Sequence, residues 1–323
     1  LLTRMKVLFS SLAAKIALFK KVEAQVRNIN PSAIVVGGDM DPQCLGAKIL
    51  DKSKFLRMKK LDDFSTDEIL KFLVSENISY VIPTRDGELT FWAVHKEILS
   101  ECKISVMISD LSSIKKCNDK LTFYNSSKEL TVPVIPTFLD LNEIDSKTFV
   151  VKSRYGSGSS NIGLNLSREE AYEHAKKIND PVFQPYIKGR EFSAETWIDD
   201  KGQCHGLVMR WRLQIVRGES HESKIFLNDN WGKLIIDMFE KIRGLQGHCL
   251  AQIIVDEDCK LHLIEINPRL GGASPLSLEA GLNSIEWFLN ESNGASQKIP
   301  KNPAIRDGLR LKKKNGVVTI TEE

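Results

Sequence analysis

No two cysteines in this chain form a Cys-x-x-Cys pair; the six lie at positions 44, 102, 117, 204, 249 and 259. The six histidines are equally scattered, with no zinc-ligand spacing. These absences argue against a zinc centre and a disulfide framework, and reduced thiols in a cytoplasmic protein are expected. No apolar run approaches the roughly 18 residues that a membrane helix needs, so no membrane partner is expected. Leu1 to Met5 reads as an upstream start before the first strand and lacks the apolar core of a signal peptide. The net charge is only +3, and the short cluster Lys312-Lys313-Lys314 reads as a solvated tail, which argues against nucleic acid as a partner. Ser10-Ser11-Leu12-Ala13 follows the first strand where a dinucleotide site would carry Gly-x-Gly-x-x-Gly. A Walker-type Gly-x-x-x-x-Gly-Lys-Ser/Thr is missing as well.

What is present is ordinary globular material. The chain has 323 residues, 42% apolar and 27% charged, enough for two or three domains with their own cores. Over the first hundred residues strand and helix signals alternate. Lys6 to Phe9 is a short apolar strand, and Leu12, Ile16, Phe19, Val22, Val26 and Ile29 follow at helical spacing. Ala33 to Val36 is β-branched and leads to Gly37-Gly38-Asp39, read as a turn. Ile69 to Leu73 marks a helix, Ile78 to Ile82 a strand, Thr84 to Ile98 a helix, and Ile104 to Ile108 a fifth strand. This rhythm predicts an α/β architecture with a parallel, doubly wound sheet. A short helix is expected from Asp119 to Leu130, and an extended path through Val132-Pro133-Val134-Ile135-Pro136. Ser167 with Glu170 reads as a capped helix start, Trp231 to Ile242 as an amphipathic helix, and residues 250–266 as a hairpin. The last thirty residues read as a peripheral extension.

Four segments could carry chemistry. Leu261 to Asn267 reads as a strand with Glu265 and Asn267 on one face, two hard oxygen donors suited to Mg²⁺, and Arg269 follows. An amphipathic edge strand fits the same residues. Gln252, on the preceding hairpin strand, reaches the same metal if the register matches. Lys152 ends a strand and opens Ser153 to Gly163, whose glycines and serines offer backbone and hydroxyl donors to anionic oxygens. Gln184 to Glu191 reads as an extended linker whose backbone could meet an adenine edge and whose carboxylate could meet a ribose. Arg210, Arg212 and Arg217, with Glu219 and His221, form a cluster suited to a carboxylate or a phosphate, or a solvent-facing basic strand.

Taken in this order, the segments resemble the ATP-grasp superfamily in its carbamoyl-phosphate-synthase-like branch. The resemblance covers roughly residues 5 to 290 and includes Ile82-Pro83-Thr84-Arg85-Asp86-Gly87-Glu88-Leu89 and Asn118-Asp119-Lys120. It implies a Rossmann-like pre-ATP-grasp domain at residues 1–115, followed by two α+β ATP-grasp lobes. These are a nucleotide-binding lobe with a glycine-rich lid at 116–185 and a lobe with the metal site at 186–290, with the extension at 291–323. It implies ATP contacts from Lys120, Lys152, Gly156, Ser157, Gly158, Ser159, Ser160, Gln184, Tyr186, Ile187 and Glu191. Metal contacts are implied for Gln252, Glu265 and Asn267, and catalytic roles for Arg269 and Lys152. ATP and two Mg²⁺ ions, with Mn²⁺ able to substitute, are the implied cofactors. The implied reaction joins a small carboxylate, an amino acid by expectation, to an amine through an acylphosphate, with Arg210, Arg212, Arg217, Glu219 and His221 in the substrate pocket. A homodimer is the expected assembly.

The sequence departs from the pattern in two places. Gln252 stands where many members carry a carboxylate, and Leu270-Gly271-Gly272-Ala273 lacks the second arginine of true carbamoyl phosphate synthases. The second departure counts against bicarbonate as substrate. A bicarbonate-using carboxylase and a nucleotide-binding regulatory protein that has lost chemistry are the alternative readings.

Overall fold

The computed structural model describes residues 5–156 and 161–322. The chain opens with β1 (Lys6–Phe9), α1 (Ile16–Ile29), β2 (Ile34–Asp39), α2 (Leu45–Ile49), β3 (Phe55–Arg57), α3 (Thr66–Ser75), β4 (Tyr80–Ile82), α4 (Asp86–Glu101) and β5 (Ser105–Val106). The five strands form one parallel sheet in the order β3-β2-β1-β4-β5. Period-2 alternation divides their side chains between two cores. Val7, Phe9 and Val35 meet Leu18, Phe19, Val22 and Val26 of α1, while Leu8 and Val81 meet Ile69 and Leu73 of α3 and Leu89, Trp92 and Leu99 of α4. Both faces are covered, as a parallel sheet requires.

The expected turn at Gly37-Gly38-Asp39 is part of β2 instead. The glycines mark close packing rather than a bend. A Cβ on Gly37 would lie 2.8 Å from Leu12 Cδ2, and one on Gly38 2.5 Å from Met58 Sδ. Leu12 packs there from the loop before α1, which starts at Ile16.

The middle of the chain comprises α5 (Leu111–Asn118), α6 (Lys120–Ser126), β6 (Phe149–Ser153), β7 (Gly163–Leu166), α7 (Arg168–Ala175) and β8 (Pro181–Pro185). The three strands form a small sheet in the order β7-β6-β8. Ser167 and Glu170 cap α7 reciprocally, as the sequence predicts. The proline-rich stretch after α6 joins this sheet to the next. Ile135 N donates to Leu263 O at 3.0 Å, and Phe138 and Phe183 exchange backbone bonds at 3.0 and 2.9 Å.

The remainder is β9 (Gly189–Ile198), β10 (Cys204–Val216), β11 (Glu219–Phe226), α8 (Asp229–Lys241), β12 (Gly247–Asp256), β13 (Leu261–Asn267), α9 (Ser274–Glu279), α10 (Ser284–Ser292), β14 (Leu309–Lys314) and β15 (Val317–Glu322). Its strands make one antiparallel sheet in the order β13-β12-β9-β10-β11-β14-β15. One face packs on α8 through Ile235, Met238 and Phe239. The other shares a core with α9, α10 and α1, so the large sheet and the parallel sheet are joined through helices.

The reading of the last thirty residues as peripheral is corrected. β14 pairs with β11, and Leu309 and Leu311 are buried in the shared core. The lysine-rich strand hid this because its apolar positions, Leu309 and Leu311, are few and sit two apart. Leu311→Ala is expected to lower the unfolding free energy by about 2–5 kcal/mol. Urea denaturation measures it, and a loss below about 0.5 kcal/mol would mark the strand as an ornament.

No helix among the described residues is long and apolar enough to cross a membrane.

Candidate functional site

The candidate site lies where the small sheet meets β13. Alternation along β6 sends Phe149 and Val151 into the core under α7 and leaves Lys152 on the opposite side, 5% exposed. Burial pushes the Lys152 ammonium down to about 8, with Glu265 and Glu191 opposing the shift and the neighbouring Lys120 adding to it. Lys120, the first residue of α6, is lowered by burial as well, against the pull of Glu265, Asp119 and Asp86. A lysine kept this far from water is destabilising in itself unless an anion meets it.

Asn118, Asp119 and Lys120 are stitched to the start of the glycine- and serine-rich segment. Arg154 grips Asp119 with two bonds, Nε to Oδ1 at 2.8 Å and Nη2 to Oδ2 at 2.7 Å. Partial burial pushes the Asp119 carboxyl up, but Arg154 and Thr122 together hold it at about 2. Lys120 Nζ donates to Gly156 O at 2.7 Å, and Gly156 N donates to Asn118 Oδ1 at 3.2 Å. Gly156 has φ +82° and open space where a Cβ would stand, so backbone conformation rather than crowding asks for glycine here. Ser157, Gly158, Ser159 and Ser160 lie outside the described residues.

Across the cleft, register decides what meets what. Gln252 on β12 stands directly opposite Glu265 on β13 and opposite Ser193 on β9. Asn267 Nδ2 donates to Glu265 Oε1 at 2.9 Å. The register thus sets Gln252 beside Glu265, and Asn267 bonds to the same carboxylate. Arg212 joins this group: its Nη1 donates to Gln252 Oε1 at 2.7 Å and to Glu191 Oε2 at 2.9 Å, and its Nη2 to Gly218 O at 2.6 Å. Among the described residues no three His, Cys, Asp or Glu side chains cluster as a metal cage. One carboxylate and two amide oxygens do fit Mg²⁺ that shares its coordination with phosphate oxygens, which is how this hard cation is commonly held.

The remaining predicted residues divide. Gln184 is buried on β8 with Nε2 donating to Thr137 Oγ1 at 2.7 Å, so its side chain is tied inside the fold. Tyr186 and Ile187 line a shallow depression with Lys188, Asp256 and His262. Arg210 sits at 2% exposure in a buried network rather than on the cleft wall. Its guanidinium meets Glu195, which also accepts from His248 Nε2 at 3.0 Å, and His248 Nδ1 lies 2.9 Å from Ser284 Oγ. Arg217 occupies the exposed β10–β11 turn with φ +50°, away from this group. Glu219 accepts from Lys313 Nζ at 2.7 Å and faces Gly272, while His221 contributes to lowering its carboxyl.

Arg269 reaches out of the antiparallel sheet altogether. Its Nε donates to Asp86 Oδ1 at 2.6 Å and its Nη2 to Asp86 Oδ2. Asp86 opens α4 of the parallel-sheet region. Sequence reasoning placed the residues around Asp86 in a motif but missed this partnership, since 183 residues separate the pair. The contacts of Glu88 with Ser10 and of Lys15 with Thr84 likewise join residues 78 and 69 positions apart.

Lys120, Lys152 and Arg212 thus share the field of Glu265 at the seam of two sheets, with Asp119, Asp86 and Glu191 as further counter-charges. Comparison with known proteins is more specific: residues 117–273 match the ATP-grasp domain family, and the chain is similar to carbamoyl phosphate synthase large chains. The carbamoyl phosphate synthase large chain of Clostridium botulinum (strain Langeland / NCTC 10281 / Type F) is 23% identical over 288 residues, 80% of this chain and 26% of that protein. The chain thus spans between 20% and 26% of the length of the curated relatives it matches. Among solved structures, the biotin carboxylase domain dimer of Hydrogenobacter thermophilus 2-oxoglutarate carboxylase, in complex with MgADP, ADP and bicarbonate, superposes with a TM-score of 0.71. It is 18% identical, over 95% of this chain and 73% of that one. The L-amino acid ligase from Bacillus licheniformis gives 0.69 at 16% identity, over 96% and 79%. At these identities the structural likeness shows the fold.

Lys152 supplies a stability test. Its folded value of about 8 lies below the ordinary 10.5, so the folded state binds fewer protons than the unfolded state between those two values. The penalty for the buried ammonium is therefore full below pH 8 and fades as pH rises towards 10.5. Lys152→Met is expected to stabilise the nucleotide-free protein by about 3 kcal/mol at pH 7, with the gap narrowing above pH 8. Denaturation of both proteins across this range checks the sign.

Proposed function

We propose that this protein is an ATP- and magnesium-dependent ligase that joins a small carboxylate, an amino acid by expectation, to an amine. The observation that carries the reading is the electrostatic one: Glu265 opposes the burial-driven shifts of Lys120, Lys152 and Arg212 together, within an ATP-grasp domain. Such a surplus of buried positive charge is what a triphosphate and a carboxylate need in order to approach each other. When bound, ATP supplies the phosphoryl group that makes an acylphosphate of the carboxylate, and Mg²⁺ offsets the accumulated charge.

On this reading residues 1–115 form the pre-ATP-grasp region, 116–185 the nucleotide lobe and 186–290 the lobe with the metal site. Lys120, Lys152 and the backbone from Gly156 onward hold phosphate oxygens. The linker at Tyr186 and Ile187 flanks the base, and Glu191 holds the ribose while Arg212 fixes its orientation. Glu265, Asn267 and Gln252 hold two Mg²⁺ ions in company with the phosphates, most weakly at Gln252, whose oxygen already accepts from Arg212. Arg269, aimed by Asp86, stabilises charge developing on the reacting carboxylate. Pairing as a homodimer belongs to the same reading, with the dimeric carboxylase domain as support. Gly271 and Gly272 follow Arg269 with no side chain to bind bicarbonate, which favours a ligase over a carboxylase.

The test is ADP release with MgATP against amino acids singly and in pairs, with bicarbonate as a separate arm. A requirement for one acid plus one amine supports the ligase, and a requirement for bicarbonate moves the reading to a carboxylase. Nucleotide binding without turnover across the panel would favour a regulatory nucleotide sensor. Glu265→Gln and Arg269→Ala are each expected to lower turnover by roughly a hundredfold or more while circular dichroism stays unchanged. Activity retained in both would refute the site assignment.

A further inference from the structure

The loop that follows Arg269 is built around one peptide unit, Leu270–Gly271, which is bonded at both of its polar ends. Its carbonyl accepts from Arg269 Nη1 at 3.0 Å, and its N–H donates to Ser274 Oγ at 2.6 Å. A peptide unit is planar, so its C=O and N–H turn together. Whatever fixes the Gly271 N–H therefore also fixes the carbonyl that Arg269 uses. The Arg269 guanidinium thus has two holders. Asp86 takes it from α4 through Nε and Nη2, and the backbone of its own loop takes it through Nη1.

This loop is pressed onto the interior. Leu270 is 1% exposed, and Ser274, which opens α9, is 0% exposed. A Cβ on Gly271 would lie 2.7 Å from Leu250 Cδ1 and 4.0 Å from Arg210 Nη2, so the backbone rests directly on β12 and on Arg210. Ser274 N returns a bond to Gly271 O at 3.1 Å and closes the turn. Having accepted from Gly271, the Ser274 hydroxyl still has a hydrogen to give, and Glu195 takes it. Glu195 is itself 0% exposed and accepts from Arg210 Nε at 2.8 Å and His248 Nε2 at 3.0 Å. Burial pushes the Glu195 carboxyl up, yet Arg210, His248 and Ser274 hold it well below the usual carboxylate range. An ionised carboxylate only accepts, so it decides which way the Ser274 hydroxyl points and leaves the lone pairs for Gly271.

We propose that Ser274, with Glu195 behind it, is a positioning residue for Arg269, fixing the Leu270–Gly271 plane whose carbonyl takes the guanidinium. The effect on turnover rests on the ligase reading, whereas the positioning is measured without it. The full chain, labelled with ¹⁵N-arginine, gives an Nε–H signal for Arg269, assigned by its loss in Arg269→Lys. Ser274→Ala is expected to shift that signal or to speed its exchange with water. Asp86→Asn, which weakens the other holder, shows how a loosened guanidinium reports. Ser284→Ala trims the far end of the same buried network, at His248 Nδ1, and should leave the Arg269 signal as it is. With whichever acid and amine release ADP, Ser274→Ala should lower kcat roughly ten- to a hundredfold with little change in KM for MgATP, a loss of aim rather than of binding. Ser284→Ala should keep its kcat. An unaltered Arg269 signal in Ser274→Ala, equal changes in both serine variants, or full kcat in Ser274→Ala would overturn the proposal. An altered signal in a chain that releases ADP with no acid and amine would support the positioning and count against the ligase reading instead.

Discussion

The carboxylate of Glu265 acts on three buried or half-buried cations at once, with Glu191, Asp119 and Asp86 as further counter-charges. Lys120, Lys152 and Arg212 all feel it, and burial strips each of part of its hydration. In water such groups would simply turn outward. Here they cannot, because Lys152 is fixed by the pleat of β6, Lys120 by the cap of α6, and Arg212 by three bonds to Glu191, Gln252 and Gly218. The fold thus holds three cations close together and partly dehydrated. Preorganisation of this kind is destabilising without ligand and effective with it.

The rest of the architecture serves to keep the opposing walls in place. The proline-rich stretch from Val132 to Phe138 bonds to β13 on one side and β8 on the other, so the small sheet and the large sheet share a backbone seam. The pair Arg269–Asp86 joins the large sheet to the first turn of α4, and the common core of α1, α9 and α10 backs that link. Glu195, Arg210, His248 and Ser284 form a second, fully interior network that ties β9, β10 and β12 to α10. That network explains why Arg210 and Arg212, two residues apart on one face, have different fates: one stabilises the interior and the other faces the cleft.

Much of this was legible from sequence, and the reasons are local. Strands of β-branched residues, the Ser167–Glu170 cap and the short acidic hairpin turn before Lys260 all act within a few residues, so the parallel sheet, α7 and the β12–β13 hairpin are predictable. Glu265 and Asn267 were legible through period-2 spacing on a strand. What was hidden depends on distance along the chain. The register of Gln252 against Glu265 follows from a hairpin with a bulge, and no composition reveals a bulge. The burial of Arg210 depends on Glu195 and His248 from neighbouring strands, and the place of β14 on its pairing with β11, nearly ninety residues away. The glycines of β2 misled because close packing and turning both select the same residue.

Asp86 stands outside the matched segment 117–273, whereas Arg269 stands within it. The matched segment therefore relies on a residue outside it to orient its arginine. A recombination that set a foreign parallel-sheet region before the matched segment would keep Lys120, Lys152 and Glu265 yet leave Arg269 without its partner Asp86. Only donors with an acidic residue at the opening of the corresponding helix would be compatible. Inheritance in this lineage is expected to carry the two regions as one piece.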